Sequence, residues 1–311
     1  MTHRPLGSSG LSIRPFVLGG NVFGMTAGRD ASFAVLDRFV ENGGGMIDTA
    51  DVYSAWVPGH KGGESESMMG AWLKENGARG DVLIATKVGM MPGGLKPERI
   101  REAVQGSLER LGVETIDLYF AHKDDPDVPL DEVLGAFAEL LNAGIVRAIG
   151  ASNYSTDRLA EALRVADEKG LPRYSVVQPE LNLLDRAQYQ GALQNLCVAE
   201  GLGVVTYFSL ASGYLSGKYR GADDLGKSPR GGRVKPYLEG KGPAMLEAMD
   251  AIAAETGASL SQIALAWVAA QPGVTAPIAS ATSVEQLDEI MGAEDLVPSD
   301  EQLAALTAAG A

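Results

Sequence analysis

The sequence contains little of what builds disulfide frameworks, metal clusters or membrane spans. Its one cysteine, Cys197, cannot form an internal disulfide and suits a reducing compartment. The three histidines are scattered, and Asp124, Asp125 and Asp127 resemble a calcium loop that lacks its glycine and distal glutamate, so no metal site is expected. The sequence has no run of about 18 apolar residues, so no transmembrane helix is predicted. The N-terminal MTHRPLGSSG has no apolar signal core, and we expect a cytoplasmic protein.

Basic residues are scarce relative to acidic ones. The chain has 26 Lys and Arg against 40 Asp and Glu, which gives a formal net charge of −14. This excess argues against nucleic acid and anionic membranes as partners. Hydrophobic residues make up 45% of the 311 residues, enough for the core of a globular enzyme. Since no stretch resembles a linker, we expect residues 1–311 to form one domain, and the oligomeric state is not indicated.

The chain repeats one unit of a short strand, a polar loop, an amphipathic helix and a glycine stop. The predicted strands read FVLGG, GMIDTA, VLIATKVG, DLYFAH, VRAIGAS, SVVQPEL, GVVTYFS and APIAS. Strands that alternate with helices imply a parallel sheet, and eight such units in 311 residues suggest a closed α/β barrel. Two short runs around Ser9 and Gly10 predict an N-terminal hairpin.

Helix caps and interruptions refine this pattern. Asp30 is the expected N-cap of the first helix, Pro97 opens the third, and Ser155 caps the fifth. Two segments, Val52–Gly63 and Tyr214–Lys241, break the rhythm. The second is rich in Gly, Lys and Arg, and it is either a disordered surface loop or a lid over the catalytic face.

Four polar side chains fall at or just past predicted strand ends: Asp48, Tyr53, Lys87 and His122. The C-terminal ends of barrel strands meet at one face, where catalytic groups are placed. A lysine that ends an apolar strand needs a buried partner, which Asp48 can provide. Lys87 beside a phenol would lower the pKa of Tyr53 by stabilising the phenolate. Such a tyrosine can pass a proton to a carbonyl oxygen.

Each of these side chains also has an ordinary structural interpretation. Tyr53 could be a rim tyrosine, Lys87 a surface lysine and His122 a packed side chain, while Asp48 could cap the following turn. Three titratable groups at successive strand ends favour a shared site instead.

The motifs together resemble the aldo-keto reductase superfamily. The resemblance runs in order through IDTADVY, IATKVG, DLYFAH, VRAIGASNYS, VVQPELN, VVTYFSLASGYLSGKY, ALAWVAAQPGV and IASATSVEQLDEI, and it covers nearly the whole chain. It implies a (β/α)8 TIM barrel closed at its bottom by the N-terminal hairpin. It also implies that Tyr53 donates a proton in carbonyl reduction and acts as the base in alcohol oxidation, while His122 orients the carbonyl.

A cofactor site is implied in the same way. No GxGxxG follows the first strand, so a Rossmann site is not supported. The resemblance implies NADPH or NADP⁺, with NADH possible. Ser152, Asn153 and Gln178 match its carboxamide-binding positions, and Tyr207 matches the aromatic that stacks on the nicotinamide ring. The other matching positions are Gly20, Asn21, Val22, Asp48, Phe208, Ser209, Leu210, Gly213, Leu215, Gly217, Lys218, Ser280, Thr282, Gln286 and Glu289.

The choice between NADP and NAD depends on the segment before the last predicted barrel helix. Ser280 and Thr282 precede a helix start, which suits a 2′-phosphate. Family members commonly carry Arg or Lys where Thr282 stands, and its absence weakens the NADP preference. Arg230 or Arg233 from the long segment could compensate.

The expected function is reversible hydride transfer between nicotinamide and an aldehyde, ketone or secondary alcohol. Phe23 and Trp56 either line the substrate pocket or anchor their loops. The short C-terminal tail predicts an open pocket. Two other functions stay open: a cofactor-binding subunit of potassium channels, which the superfamily includes, and a lyase that uses Lys87 as a Schiff base. Asp48 argues against the lyase because it holds the Lys87 amine protonated.

Overall fold

The structure is a computed structural model that describes residues 3–227 and 231–310. Within these ranges the strands are β1 (Arg4–Pro5), β2 (Ser12–Ile13), β3 (Val17–Gly19), β4 (Gly45–Asp48), β5 (Val82–Val88), β6 (Ile116–Ala121), β7 (Val146–Ser152), β8 (Val176–Gln178), β9 (Gly203–Thr206) and β10 (Val274–Ala279). The helices are α1 (Arg29–Glu41), α2 (Glu64–Asn76), α3 (Pro97–Leu111), α4 (Leu130–Asn142), α5 (Thr156–Lys169), α6 (Ala192–Ala199), α7 (Gly231–Glu239), α8 (Gly242–Thr256), α9 (Leu260–Ala269), α10 (Val284–Met291) and α11 (Asp300–Ala309).

Strands β3 to β10 close into a barrel in chain order, and β10 pairs back onto β3. Every neighbouring pair in this barrel is parallel. Each predicted strand sequence overlaps one of these eight strands. The predicted (β/α)8 TIM barrel is therefore confirmed, and all of its C-terminal strand ends lie at one face.

The N-terminal hairpin closes the opposite face. Strands β1 and β2 pair antiparallel, and Leu6, Leu11 and Ile13 belong to the same buried cluster as the side chains that fill the barrel interior. Gly7 has a φ of 56°, and a Cβ on it would lie 2.3 Å from both the Gly203 nitrogen and the Ser175 oxygen. These atoms lie at the N-terminal ends of β9 and β8, so the predicted bottom closure is confirmed.

One predicted cap is wrong. Helix α1 begins at Arg29, and Gly28 rather than Asp30 occupies the N-cap position. Asp30 lies in the first turn instead, where its carboxylate faces the positive end of the helix. Pro97 and Ser155 begin α3 and α5 as predicted.

The segment from Tyr214 to Lys241 is helical rather than disordered in its described part. It contains the 3-10 turn Ala222–Lys227 and helix α7. The side chains of Tyr214 and Val234 are fully buried. Arg230 lies outside the described residues, and Arg233 is exposed on α7. Among the helices of the described ranges, none has the length and apolar composition needed to cross a bilayer.

Candidate active site

Asp48, the last residue of β4, is the centre of a buried hydrogen-bonded cluster. Lys87 Nζ on β5 donates to Asp48 Oδ2 at 2.7 Å, to the Thr49 carbonyl at 2.7 Å and to the Tyr53 hydroxyl at 2.8 Å. Gln178 Nε2, at the end of β8, donates to Asp48 Oδ1 at 2.8 Å. The Lys87 side chain is fully buried. The predicted pairing of Asp48 with Lys87 is confirmed, and the interpretation of Lys87 as a surface lysine is wrong.

Tyr53 lies in the turn that follows β4, beside the other three residues of the predicted tetrad. Its hydroxyl is 3.3 Å from Asp48 Oδ2. The His122 ring meets the Tyr53 ring edge-on, with centroids 6.0 Å apart. Trp56 approaches the same ring edge-on at 6.3 Å. The structure thus brings Asp48, Tyr53, Lys87 and His122 together at the C-terminal face of the barrel.

The pKa of Tyr53 is shifted in the direction opposite to the one expected from the sequence. Burial, followed by the nearby Asp48 carboxylate, raises the pKa of Tyr53 well above its ordinary value. The expected lowering by Lys87 is therefore wrong for the protein without bound ligand, because removal of the phenol from water and the neighbouring Asp48 carboxylate both favour the protonated phenol. Tyr53 consequently stays protonated at neutral pH, so its hydroxyl has a proton to donate.

Lys87 and His122 are shifted towards their neutral forms. Burial lowers the pKa of Lys87, while Asp48, Glu66 and Asp51 oppose that shift. Burial, followed by the positive charge of Lys87, lowers the pKa of His122 well below its ordinary value. A neutral imidazole can donate one hydrogen bond to a carbonyl oxygen without adding a charge.

The three predicted carboxamide-binding residues and Tyr207 form a connected network next to this cluster. Ser152 Oγ donates to the Gln178 carbonyl at 2.8 Å. Asn153, which has a φ of 55°, donates through Nδ2 to the His122 carbonyl at 2.8 Å and to Ser152 Oγ at 3.1 Å. The Tyr207 hydroxyl donates to Asn153 Oδ1 at 2.8 Å. The network fixes the amide orientation of Asn153 within reach of the tetrad.

The segment after β9 has an unusual backbone. Positive φ angles occur at Phe208, Ala211, Ser212, Gly213 and Gly217. Left-handed residues interspersed with right-handed ones turn successive N–H groups into an anion-binding concavity. Lys218 is exposed, and a Cβ on Gly213 would lie 3.2 Å from its Nζ atom.

The predicted contacts of this segment divide by exposure. Ser209 and Leu215 are buried and Leu210 is half-buried, so these side chains hold the segment in place. The amides of Ala211, Gly213 and Gly217 donate to carbonyls within the segment, so the exposed Lys218 ammonium is the main feature here that suits the pyrophosphate of a dinucleotide.

Other predicted cofactor contacts lie around the ends of β3 and β10. Gly20 N donates to the Asp48 carbonyl at 2.7 Å, and Ser280 Oγ donates to Asn21 Oδ1 at 2.6 Å. The Thr282 hydroxyl donates to Gln286 Oε1 at 3.1 Å. Ser283 is the N-cap of α10, a role that the sequence analysis did not assign.

Two further residues predicted to contact the cofactor near these strand ends differ in exposure. The Val22 side chain is buried in the core, so only its backbone can face a ligand. Glu289 is exposed on α10, and its carbonyl accepts a hydrogen bond from Gln262 at 3.0 Å.

Comparison with known proteins agrees with this geometry. The sequence profile of the Aldo/keto reductase family matches residues 15–311. The chain belongs to the aldo/keto reductase family. It is 32% identical to a rice (Oryza sativa subsp. japonica) protein named "Probable voltage-gated potassium channel subunit beta", over 96% of this chain and 92% of that protein. It is 30% identical to an aldo-keto reductase of Strobilurus tenacellus, over 91% and 82%. It is 33% identical to the "Uncharacterized oxidoreductase YrpG" of Bacillus subtilis, over 95% and 92%.

In this aldo/keto reductase the two aromatic residues predicted for the substrate pocket differ in burial. Phe23 is fully buried in a core cluster with Val35 and Phe39, which favours its interpretation as a loop anchor. Trp56 is 54% exposed and borders Tyr53, which favours its interpretation as a wall of the pocket.

A second layer of buried charge lies behind Lys87 and was not identified from the sequence. Asp51 Oδ2 accepts a hydrogen bond from Arg99 on α3 at 3.2 Å. Glu66 on α2 accepts from Thr86 at 2.5 Å and from Arg110 at 2.7 Å. The signal was present in the DTAD and ESES segments, but short acidic runs are usually solvated. Over the described part of the chain, no group of three or more His, Cys, Asp or Glu is arranged to hold a metal ion.

Proposed function

We propose that this aldo/keto reductase transfers a hydride between NADP(H) and an aldehyde, ketone or secondary alcohol, with Tyr53 as general acid and base. One observation carries the proposal: Lys87 Nζ contacts both Asp48 Oδ2 at 2.7 Å and the Tyr53 hydroxyl at 2.8 Å. A buried ammonium held by a carboxylate and aimed at a phenol is an arrangement for moving a proton at that phenol.

The four tetrad side chains divide the work. Tyr53, protonated at neutral pH, donates its proton to the substrate oxygen. Lys87 then stabilises the phenolate that remains, and Asp48 keeps Lys87 charged against the effect of burial. Neutral His122, edge-on to Tyr53, orients the carbonyl. When bound, the nicotinamide supplies or accepts the hydride.

The residues around the tetrad would hold the cofactor. Ser152, Asn153 and Gln178 would orient the carboxamide, and the Tyr207 ring would lie against the nicotinamide. The backbone between Phe208 and Gly217, with Lys218, would hold the pyrophosphate.

The adenosine end supports only a modest preference for NADPH over NADH. Residues 280–291 contain no basic side chain, so neutral donors and the N-terminus of α10 would have to bind a 2′-phosphate. Neutral hydrogen bonds are weaker than the charge-assisted pair that an arginine would make.

A turnover screen tests the proposal. Purified protein is mixed with NADPH or with NADH and offered small aldehydes, sugars or polycyclic ketones, and loss of nicotinamide absorbance is followed. We expect many turnovers per protein molecule with at least one of these carbonyl classes. Tight cofactor binding without turnover on any of them would contradict the proposal.

A cofactor-binding regulatory subunit is the second candidate function. The observation that favours it is the similarity to proteins named as potassium channel beta subunits, which extends over 96% of this chain. Stopped-flow oxidation of bound NADPH separates the two functions. An enzyme releases its product and continues, whereas a regulatory subunit stops after one slow oxidation of its bound cofactor.

A lyase that uses Lys87 as a Schiff base fits the geometry less well. A Schiff base needs a free amine lone pair. Lys87 donates to three acceptors, namely Asp48, the Thr49 carbonyl and Tyr53. Borohydride trapping with a carbonyl compound in the absence of cofactor would reveal such a reaction, and we expect no adduct.

A further inference from the structure

A buried ion pair lies beneath the turn that carries Tyr53. Asp51 is 3% exposed, and Arg99 from α3 reaches its Oδ2 atom at 3.2 Å. The Asp51 amide donates to the Lys87 carbonyl at 3.2 Å. Gly62, at the far end of the same loop, lies against the Asp51 carbonyl, where a Cβ would come within 2.7 Å. Asp51 therefore joins the start and the end of this loop to β5 and α3.

This ion pair is only partly satisfied. Among the described residues, neither Asp51 Oδ1 nor Arg99 Nε has a hydrogen-bond partner, although both atoms are buried. The Tyr119 hydroxyl on β6 is likewise buried and unpaired within the described ranges. Unsatisfied buried polar groups are costly, and a nonpolar pair would pack here more cheaply.

We propose that Asp51 is a positioning residue: its ion pair with Arg99 anchors the Ala50–His60 turn and so holds the Tyr53 hydroxyl on Lys87 and Trp56 beside it. Burial favours the neutral form of Asp51, so ionisation places in the turn a buried charge that Arg99 must balance. The consequence for turnover rests on the proposed function, whereas the effect on the turn does not.

The surroundings of Asp51 place its titration in an accessible range. Burial, followed by the charge of Glu66 on α2, raises the pKa of Asp51 to about 6, against the opposing charges of Arg99 and Arg110 on α3. Lys87 on β5 and the Tyr119 hydroxyl on β6 also face this cluster. His122 titrates well below its ordinary range, so an activity change near pH 6 would belong to Asp51 rather than to His122.

Trp56 provides a probe of the turn that does not depend on catalysis. The chain has three tryptophans, of which Trp72 and Trp267 are fully buried and Trp56 is 54% exposed. Acrylamide quenching of the wild-type protein should therefore report on Trp56, and a Trp56→Phe variant identifies its share of the emission. We expect the quenching constant to rise as the pH rises through about 6, because ionisation of Asp51 loosens the turn.

Substitutions at three residues give signed expectations. Asp51→Asn should remove the transition. Arg99→Met should make this rise in quenching larger, because ionised Asp51 then lacks its counter-ion, and Arg99→Lys should restore the wild-type rise. Glu66→Gln should move the midpoint downward, because a repelling negative charge is lost. Asp131→Asn, which changes an exposed carboxylate on α4 that pairs with Lys169, is the matched control and should leave the midpoint unchanged.

Turnover then provides a second readout. In the wild type, kcat should fall on the alkaline side of the same midpoint, and in Asp51→Asn it should be independent of pH in this range. A quenching midpoint that persists in Asp51→Asn, or a rise in quenching that is no larger in Arg99→Met than in the wild type, would overturn the proposal. A protein that shows the quenching shifts but no turnover would contradict the proposed function and leave the positioning role of Asp51 supported.

Discussion

At the scale of single residues, Asp48 organises the site. Its two oxygens accept hydrogen bonds from Lys87, Tyr53 and Gln178, so one carboxylate joins the ends of β4, β5 and β8. Removing such a buried partner leaves an uncompensated ammonium, which explains why the sequence pairs an acid with the strand-end lysine.

Lys87→Met tests the coupling of this lysine to the Tyr53 phenol. Without the ammonium the Tyr53 phenolate is disfavoured. The rate of alcohol oxidation at neutral pH should therefore fall more than the rate of carbonyl reduction at low pH. The pH–rate profiles of both directions measure this difference. Lys74→Met, at an exposed position of α2, is the control. Identical profiles for Lys87→Met and the wild type would contradict the coupling.

Thr282→Arg tests the cofactor preference. A guanidinium at the start of α10 would give a 2′-phosphate a charge-assisted contact in place of a neutral one. We expect the wild type to prefer NADPH modestly and the variant to prefer it more, by roughly tenfold for about 1.4 kcal/mol. Fluorescence quenching gives both dissociation constants. A clear preference of the wild type for NADH would show that the neutral donors do not suffice.

The positions of the tetrad could be predicted from the sequence, but its energetics could not. Strand ends locate Asp48, Lys87 and His122 because a parallel barrel brings all such ends to one face. The raised pKa of Tyr53 depends on how completely the turn encloses the phenol, and that packing is not visible in the spacing of residues.

At the scale of elements, the N-terminal hairpin contributes mainly to stability and the turn after β4 mainly to chemistry. The hairpin closes the barrel at the face opposite the site, so its loss should affect stability before chemistry. The turn carries Tyr53 and Trp56, so changes there should affect chemistry before stability.

Gly7→Ala tests the fit of the hairpin. A methyl group at this left-handed position would meet backbone atoms of Ser175 and Gly203 at 2.3 Å, and we expect a loss of about 2–4 kcal/mol in the free energy of unfolding. Gly10→Ala is the matched control, since its φ is 74° and nothing lies within 4 Å. It should cost only about 1 kcal/mol. Urea unfolding measures both, and equal losses would mean that the hairpin does not dock tightly.

Trp56→Ala tests the wall of the pocket. If the exposed indole contacts the substrate, its removal should raise KM for aromatic carbonyls more than for small aldehydes, because only large substrates reach it. Steady-state kinetics on one member of each class gives the comparison. Equal effects on both would return Trp56 to a structural role.

Element boundaries were predictable where a side chain marks them. Pro97 and Ser155 begin their helices because proline and serine suit those positions. Helix α1 was misplaced because its N-cap is Gly28, which has no capping side chain. Helix α7 was missed because it contains Pro236 and begins with two glycines, a composition typical of loops.

At the scale of the whole molecule, the fold follows from the alternation of strands and helices, and the buried charges modify its stability. The eight-stranded closure needs only local periodicity and one pairing, β3 with β10, between distant parts of the chain. The folding of residues 1–311 as one domain and the cytoplasmic location both stay predictions.

The buried Asp51 should make stability depend on pH. The pKa of Asp51 in the folded protein, about 6, lies above its ordinary value of 3.8. The protonated carboxyl therefore adds to the free energy of unfolding in full below pH 3.8, and this contribution is lost as the pH rises through 6. Between roughly pH 5 and pH 7.5, the free energy of unfolding of the wild type should therefore fall by about 1 kcal/mol relative to that of Asp51→Asn. Urea unfolding of both proteins at the two pH values measures this difference. A difference that stays constant would show that Asp51 titrates in its ordinary range.

The most direct test of Tyr53 as the proton donor compares Tyr53→Phe with the wild type in single-turnover oxidation of bound NADPH by a carbonyl substrate. The variant loses only the hydroxyl, which contacts Lys87 and Asp48 rather than the proposed dinucleotide site. We predict a fall in the rate by roughly 10²–10⁴-fold with a nearly unchanged dissociation constant for NADPH. Full activity in a correctly folded Tyr53→Phe would contradict the assignment.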